Sequence, residues 1–453
     1  MKRKTIINYF FLIIIIHVFH LSAKAQNRNY NNFETFNPVF YPDNGDEFRT
    51  AAGTPGAKYW QNKADYKIDV VLDEVKDSLS GTVLITYTNN SPDIIDYLWI
   101  QLDQNQYKNN AIRTLNLSPD RLSTFKEKGY HIFSVQAGQG RKLKNAEYKI
   151  DETRMQIRLA DPLAPKGGKI QVKIAYGYSL PESGRSGIVN RKNGKIYATA
   201  QWYPRMCVYD NIYGWNTLPY IGGGEFYLEY GDIEFSVNVP SNHIVGGSGE
   251  LMNEKEVLSD TQIQRLKQAR SSDKTVIIRS AAEAEDESKA ESKSRKTWKF
   301  KAINVRDASW SSSASFIWDA ARANLPDGKH PLAMSMYPSE DDRDTAWRRS
   351  TQFVKASLEF YSGYLVSYPY PVATNVACDV LGMEYPGIVF CGTGLDGKEL
   401  WRVADHEIGH QWFPMLVGSD ERRSAWMDEG FNTFINILAN RAFNNAEFIS
   451  LNV

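Results

Sequence analysis

Cysteine is scarce in this chain: Cys207, Cys378 and Cys391 are the three among 453 residues. Three thiols exclude a disulfide framework, and the odd count leaves at least one outside any intrachain pair. Cys378 and Cys391 flank one short segment and could bridge in an oxidising compartment. Two separately buried thiols fit better, because cysteine packs as a small apolar residue. Net charge is lacking too, with Lys and Arg together 53 and Asp and Glu together 53. That balance removes the electrostatic case for nucleic acid or an anionic membrane surface as partner. Apolar runs of membrane-spanning length are missing, so no stable membrane insertion is expected.

The chain opens with the features of an export signal. Lys2, Arg3 and Lys4 precede an apolar run from Phe10 to Phe19, and Ala23-Lys24-Ala25 supplies a small-x-small cleavage pattern. Residues 1–25 are therefore read as a signal peptide, and the mature protein as periplasmic or secreted. No cysteine follows the cleavage point, which argues against a lipid anchor. Residues 26–56 are rich in Asn, Pro and Gly without a sustained period, an irregular lead-in.

From Tyr59 the pattern has period two. Ile68, Val70 and Leu72 alternate with polar residues, as do Val83, Ile85 and Tyr87, and Ile233, Phe235, Val237 and Val239 form the clearest set. Such strands, separated by turns such as Asn89-Asn90-Ser91-Pro92, predict a largely antiparallel β domain over 57–304. Within it, 253–297 departs from the pattern. Residues 261–269 could form a short helix, but 281–296 holds almost no large apolar residue and cannot offset its ordering entropy. A solvated, disordered insertion is expected there. From 305 to 453 the chain is mixed: Phe353, Val354, Leu358 and Tyr361 have helical spacing, and 376–380 reads as a strand.

Histidine is also rare, seven in all, yet two of them stand four apart in His406-Glu407-Ile408-Gly409-His410. Leu400, Val403, Ile408 and Trp412 fall near helical spacing, so this segment reads as a partly buried helix with both imidazoles on one face. Two such rings can share a tetrahedral cation, and a catalytic zinc site needs one further protein ligand and an open position. Glu407 lies about 100° around the helix, which suits a general base better than a ligand. Eighteen residues after His410 comes Glu429, at the start of a second predicted helix with Ser424 as N-cap. An acid there can merely satisfy the helix dipole. Beside a histidine pair that lacks a ligand, Glu429 becomes the expected third one, with Asp428 and Thr433 as supports. One Zn²⁺ per chain is the implied cofactor.

These motifs resemble the zinc aminopeptidases of the aminopeptidase N and leukotriene hydrolase group, a branch of the gluzincins. Gly382-Met383-Glu384-Tyr385-Pro386-Gly387 is similar to that family's Gly-x-Met-Glu-Asn exopeptidase motif, with Tyr385 in place of Asn and Leu381 in place of the first Gly. Gln201-Trp202-Tyr203-Pro204-Arg205 is similar to the strand edging the family's active site. The resemblance implies a multidomain chain: an N-terminal antiparallel, saddle-like β domain, then the front part of a thermolysin-like α/β zinc-peptidase domain. It implies Glu407 as general base, His406, His410 and Glu429 as zinc ligands, and Glu384, Gly382, Met383 and Gln201 as substrate-binding residues. Glu384 would hold the free α-ammonium of a peptide substrate. The family's oxyanion-stabilising tyrosine lies well beyond the glutamate ligand; the 24 residues after Glu429 contain no Tyr, His or Lys, and of cations only Arg441. A chain truncated relative to the family, with weakened zinc binding and turnover, is the expectation. The alternatives are an inactive, peptidase-derived binding module and a zinc hydrolase acting as an endopeptidase or epoxide hydrolase.

Overall fold

A computed structural model of the chain describes residues 45–116, 129–140, 142–182, 187–292, 294–343, 346–379 and 382–449. The signal peptide expected at 1–25, and the lead-in up to residue 44, lie outside them. The chain forms two compact units, Met1–Trp60 and Gln61–Val453. The described part of the first holds turns and one isolated bridge between Arg49 and Pro55.

In the second unit the period-two segments become strands with one buried face. Lys63–Asp73 buries Ala64, Tyr66, Ile68, Val70 and Leu72 and pairs antiparallel with Ser78–Asn89, which pairs with Gly168–Ser179. They belong to an eight-stranded sheet that also contains Gly231–Pro240 and Arg295–Val305. Within it Lys63–Asp73 runs parallel to Gly231–Pro240, Tyr66 opposite Ile233. Alternation fixes which face of a strand is buried but not the direction of its neighbour. Two four-stranded sheets pack with this one around a single contiguous apolar core.

A six-stranded mixed sheet follows, in the order Val276–Arg279, Phe316–Arg322, Leu332–Pro338, Val372–Cys378, Ile388–Gly392, Gly382–Tyr385. Leu332–Pro338 and Ile388–Gly392 are buried along their whole length and each pairs in parallel with Val372–Cys378, the signature of a sheet covered on both faces.

Two expectations need correction here. Residues 253–297 are not a disordered insertion. Helix α1 (Asp260–Ala269) starts with a capping box between Ser259 and Gln262, and helix α2 (Ala281–Lys289) with one between Ser280 and Glu283. Between them Val276–Arg279 pairs with Phe316–Arg322, and Leu266, Ala269 and Ala284 are buried. Composition judged by window misses an edge strand whose partner lies some forty residues on. Nor does the chain divide cleanly at 304. Val276–Arg279 joins the six-stranded sheet, while Trp310–Ser313 pairs back with Gly194–Thr199 and Ile244–Gly247. All three cysteines are buried thiols. Among the described residues no helix is long and apolar enough to cross a membrane.

Candidate metal centre

Three helices carry the site: α3 (Ser350–Tyr364), α4 (Gly397–Gly409) and α5 (Trp426–Ala442). Asp396 caps α4 through a capping box with Glu399, and Leu400, Trp401, Ala404 and Ile408 are buried on one side of it. An aromatic cluster of Phe353, Trp401 and Phe443 locks α3, α4 and the end of α5, with the Trp401 and Phe443 rings stacked 3.9 Å apart. Gly409 lets α5 come close: a Cβ there would stand 2.0 Å from Asn432 Oδ1.

His406 ends the last full turn of α4 and His410 forms its C-cap, so both rings leave the same face. Their Nε2 atoms are 3.1 Å apart, and Glu429 Oε2 lies 3.3 Å from the first and 3.8 Å from the second. Two ligand atoms at about 2.0–2.1 Å from a tetrahedral zinc stand roughly 3.3–3.4 Å from each other. The three observed separations bracket that value, so these residues fit the ion. The tautomers fit as well. His406 Nδ1 is 2.9 Å from Asn436 Oδ1 and His410 Nδ1 is 2.7 Å from the Phe413 carbonyl. Both of these partners accept, which favours a proton on each Nδ1 and turns Nε2 toward the point a cation would occupy, although Asn432 Nδ2 also lies 3.3 Å from His406 Nδ1. Burial works against charging His406; the hydrogen bond to Glu429 and the Glu407 charge outweigh it, and the pKa is pushed up to about 9. A proton therefore competes with a cation for this point.

Glu407 is buried beside this cluster, and its Oε1 would be 2.1 Å from a Cβ on residue 382, which makes Gly382 the residue that admits it. Carboxylate oxygens of Glu384 and Glu407 and a ring nitrogen of His410 all lie within 4.8 Å of one another. Two carboxylate charges so close repel by about 3 kcal/mol or more at an effective dielectric near 20, unless a positive charge joins them. All these groups line one cavity of about 710 Å³ together with Arg402, Thr433 and Ile437.

The cavity collects most of the residues singled out in the sequence, but not all. Strand alternation turns Gly382 and Glu384 toward it and Met383 into the core. Gln201 is buried in a left-handed conformation (φ 52°), its N–H donating to the Tyr385 hydroxyl at 3.0 Å and its carbonyl accepting from Tyr130 at 2.6 Å. It is not among the lining residues. Thr433 lines the cavity; Asp428 accepts from the Glu429 N–H at 2.7 Å, and burial, then the nearby Glu421 charge, push its carboxyl up to about 7. Ser424 is not the N-cap of α5. It closes a separate turn, Glu421–Ser424, and α5 begins without a side-chain cap.

That turn is held from the β sheets. Arg422 donates to Asp103 at 2.9 Å, Asp103 and Asp307 both pair with buried Arg205, and Glu421 accepts from the Phe226 N–H at 2.7 Å. Gly224 (φ 76°) permits the approach, since a Cβ there would be 2.8 Å from Arg422 Cα. The polar supports that sequence reasoning missed are asparagines. Asn432 donates to the His406 carbonyl at 2.7 Å, Asn436 holds His406 Nδ1, and Asn440 accepts from Trp401 Nε1 at 2.7 Å. Their four-residue spacing along one face of α5 was the available signal. Behind them Asp405 accepts from Ser357 and Tyr361, both at 2.8 Å, while burial pushes its carboxyl up to about 7.

Known structures share this arrangement of sheets and helices. An M1 zinc metallopeptidase from Deinococcus radiodurans superposes with a TM-score of 0.51 at 15% identity, covering 86% of this chain and 72% of that one. The chain has the fold of the M1 zinc metallopeptidases. A mutant of that M1 enzyme, bound to a Tyr-Ser-Ala substrate, superposes at 0.52 with 14% identity over 85% of this chain and 72% of its own. In sequence, endoplasmic reticulum aminopeptidase 2 of Bos taurus is 28% identical over 126 residues, 24% of this chain. The match spans only 13% of that relative's length. No family model matches the sequence.

Proposed function

We propose that the protein is a zinc-dependent aminopeptidase of the gluzincin group, releasing residues from peptides with a free N-terminus. The observation carrying this reading is the joining of two clusters through His410: His406, His410 and Glu429 on one side, Glu384 and Glu407 on the other. The first would hold one Zn²⁺, which supplies Lewis-acid polarisation of the scissile carbonyl and acidification of water. Glu407 is the general base. Its burial against Gly382 fixes the carboxylate, which takes a proton from the attacking water and passes it to the leaving amine. Glu384, on a strand edge within the same cavity, pairs with the substrate α-ammonium. A cation relieves its repulsion with Glu407, and an uncharged N-terminus does not.

Asn436 and the Phe413 carbonyl keep the two rings in the tautomer that leaves Nε2 open. Gln411, next to His410, clamps the exopeptidase segment, accepting from the Gly387 N–H and donating to the Tyr385 carbonyl, both at 2.9 Å. The test compares an aminoacyl p-nitroanilide with its N-acetylated form on zinc-loaded protein. Cleavage of the free-amine reporter is expected to exceed that of the blocked one by about 100-fold or more, and Glu384→Gln is expected to close the gap. Equal cleavage of both removes the aminopeptidase reading and leaves a zinc hydrolase of other specificity. Zinc-independent cleavage removes both.

A further inference from the structure

The metal cavity runs on beyond the groups assigned above, toward the N-terminal end of α4. Helices α4 and α5 are antiparallel there: Gly409 meets Asn432, and Trp401 donates to Asn440. Past the metal cluster the cavity is lined by Leu395, Glu399, Arg402 and Val403 on one side and by Ile437 and Asn440 on the other. Glu384 belongs to the opposite end. A Cβ on Gly382 would be 2.1 Å from Glu407 Oε1 and 3.5 Å from Val403 Cγ1, whereas a Glu384 oxygen lies with Glu407 and His410. Arg402 stands one helical turn before His406 on the same face, about 6 Å back along the axis. Along α4, Glu384 is therefore at the His410 end of the metal cluster and Arg402 beyond its His406 end. Among the described lining residues Arg402 is the one Lys or Arg, facing the carboxylates of Glu384, Glu399, Glu407 and Glu429. Glu399 is engaged in the cap of α4, accepting from the Asp396 N–H at 3.3 Å, and no carboxylate among the described residues pairs with Arg402.

Given the aminopeptidase reading, on which this rests, we propose that Arg402 pairs with a substrate carboxylate on the leaving side of the scissile bond. A peptide whose α-ammonium meets Glu384 and whose scissile carbonyl lies at the metal point sends its leaving residues away from Glu384, toward Arg402. Reach decides which carboxylate arrives. An extended chain advances about 3.3–3.6 Å per residue, so one turn of α4, about 5.4 Å, is covered within two residues of the cut. Arg402 then meets the α-carboxylate of a di- or tripeptide, or the side chain of Asp or Glu in the first leaving position. A guanidinium takes a carboxylate through two parallel N–H···O bonds and gains less from a neutral amide. It also supplies the one fixed positive side chain that offsets the repulsion of an anionic substrate end by the four carboxylates. The substrates selected are short or acidic peptides.

The test is calorimetric titration of the zinc-loaded full chain carrying Glu407→Gln, which slows turnover, with two matched pairs of peptides. Ala-Ala-Ala against its C-terminal amide changes only the α-carboxylate; Ala-Glu-Ala amide against Ala-Gln-Ala amide changes only the side chain. The carboxylate member of one pair or both is expected to bind about tenfold tighter or more, and the pair that discriminates names the source. Adding Arg402→Gln is expected to bring the members of that pair within about twofold, and Arg402→Lys to keep an intermediate ratio. Arg402 is exposed and glutamine is a good helix former, so α4 tolerates the change. Equal affinities within both pairs, or a preference that survives Arg402→Gln, overturn the proposal. The aminopeptidase reading stands in either case, because every probe carries a free amine and that reading falls only on the comparison of free and N-acetylated reporters.

Discussion

At the candidate metal centre the geometry separates the duties proposed for single atoms. Glu407 has no part in the His406, His410 and Glu429 cluster, whereas Asn436 touches a ring of that cluster and no reacting group. Glu407→Gln should therefore leave zinc content unchanged while lowering kcat by about 10²–10⁴-fold. Asn436→Ala should weaken zinc by about 10–100-fold and leave kcat at saturating zinc nearly intact. Competition titration with a chelator, combined with kinetics at graded zinc, separates the two. Loss of zinc in the Glu407 variant would reassign that carboxylate as a ligand. The histidine spacing and Glu407 were legible in the sequence because helical period is local. The asparagine ladder showed only as a spacing, since Asn432, Asn436 and Asn440 acquire their partners only from the helix they face.

Between elements, the decisive contact is that of α4 with α5. Gly409 sits where the helices nearly touch, and a methyl group there collides with Asn432 Oδ1 at 2.0 Å. Gly409→Ala should destabilise the fold by about 1–3 kcal/mol and loosen zinc binding, because separating the helices carries Glu429 away from the rings. Urea denaturation with and without zinc measures both effects. Unchanged stability would mean that α5 can shift without consequence for the site. The turn delivering Glu429 is likewise positioned from elsewhere, through Arg422, Asp103 and Arg205. The sequence placed a helix start after Ser424 but could not show that Asp103, more than 300 residues upstream, helps to hold it.

Across the molecule, buried titratable groups tie stability to pH. Asp319 lies in the six-stranded sheet, accepting from Tyr337 and from Thr351 of α3, and burial raises its pKa to about 7. A folded-state pKa above the unfolded value means the native chain holds the proton more tightly. The stabilisation is complete below the unfolded pKa near 3.9 and is lost as pH rises through about 7. Asp319 should thus contribute a falling stability of at most about 1.4 kcal/mol per pH unit between roughly pH 4 and 7. Asp319→Asn should flatten that slope in urea denaturation series at pH 5 and pH 8. An unaltered slope would assign the pH dependence to other buried carboxyls.

Local chemistry and local period were enough, in the sequence alone, to mark the two histidines, Glu407, Glu429 and the one-faced strands, because each depends on residues within a few turns or pleats. Tertiary structure alone decided the parallel pairing of Lys63–Asp73, the helices and strand among the described residues of 253–297, the absence of Met383 and Gln201 from the cavity lining, and the closeness of Glu384 to Glu407. Each of these depends on which distant segments come together, and the free energy of that choice lies in contacts that no local window contains.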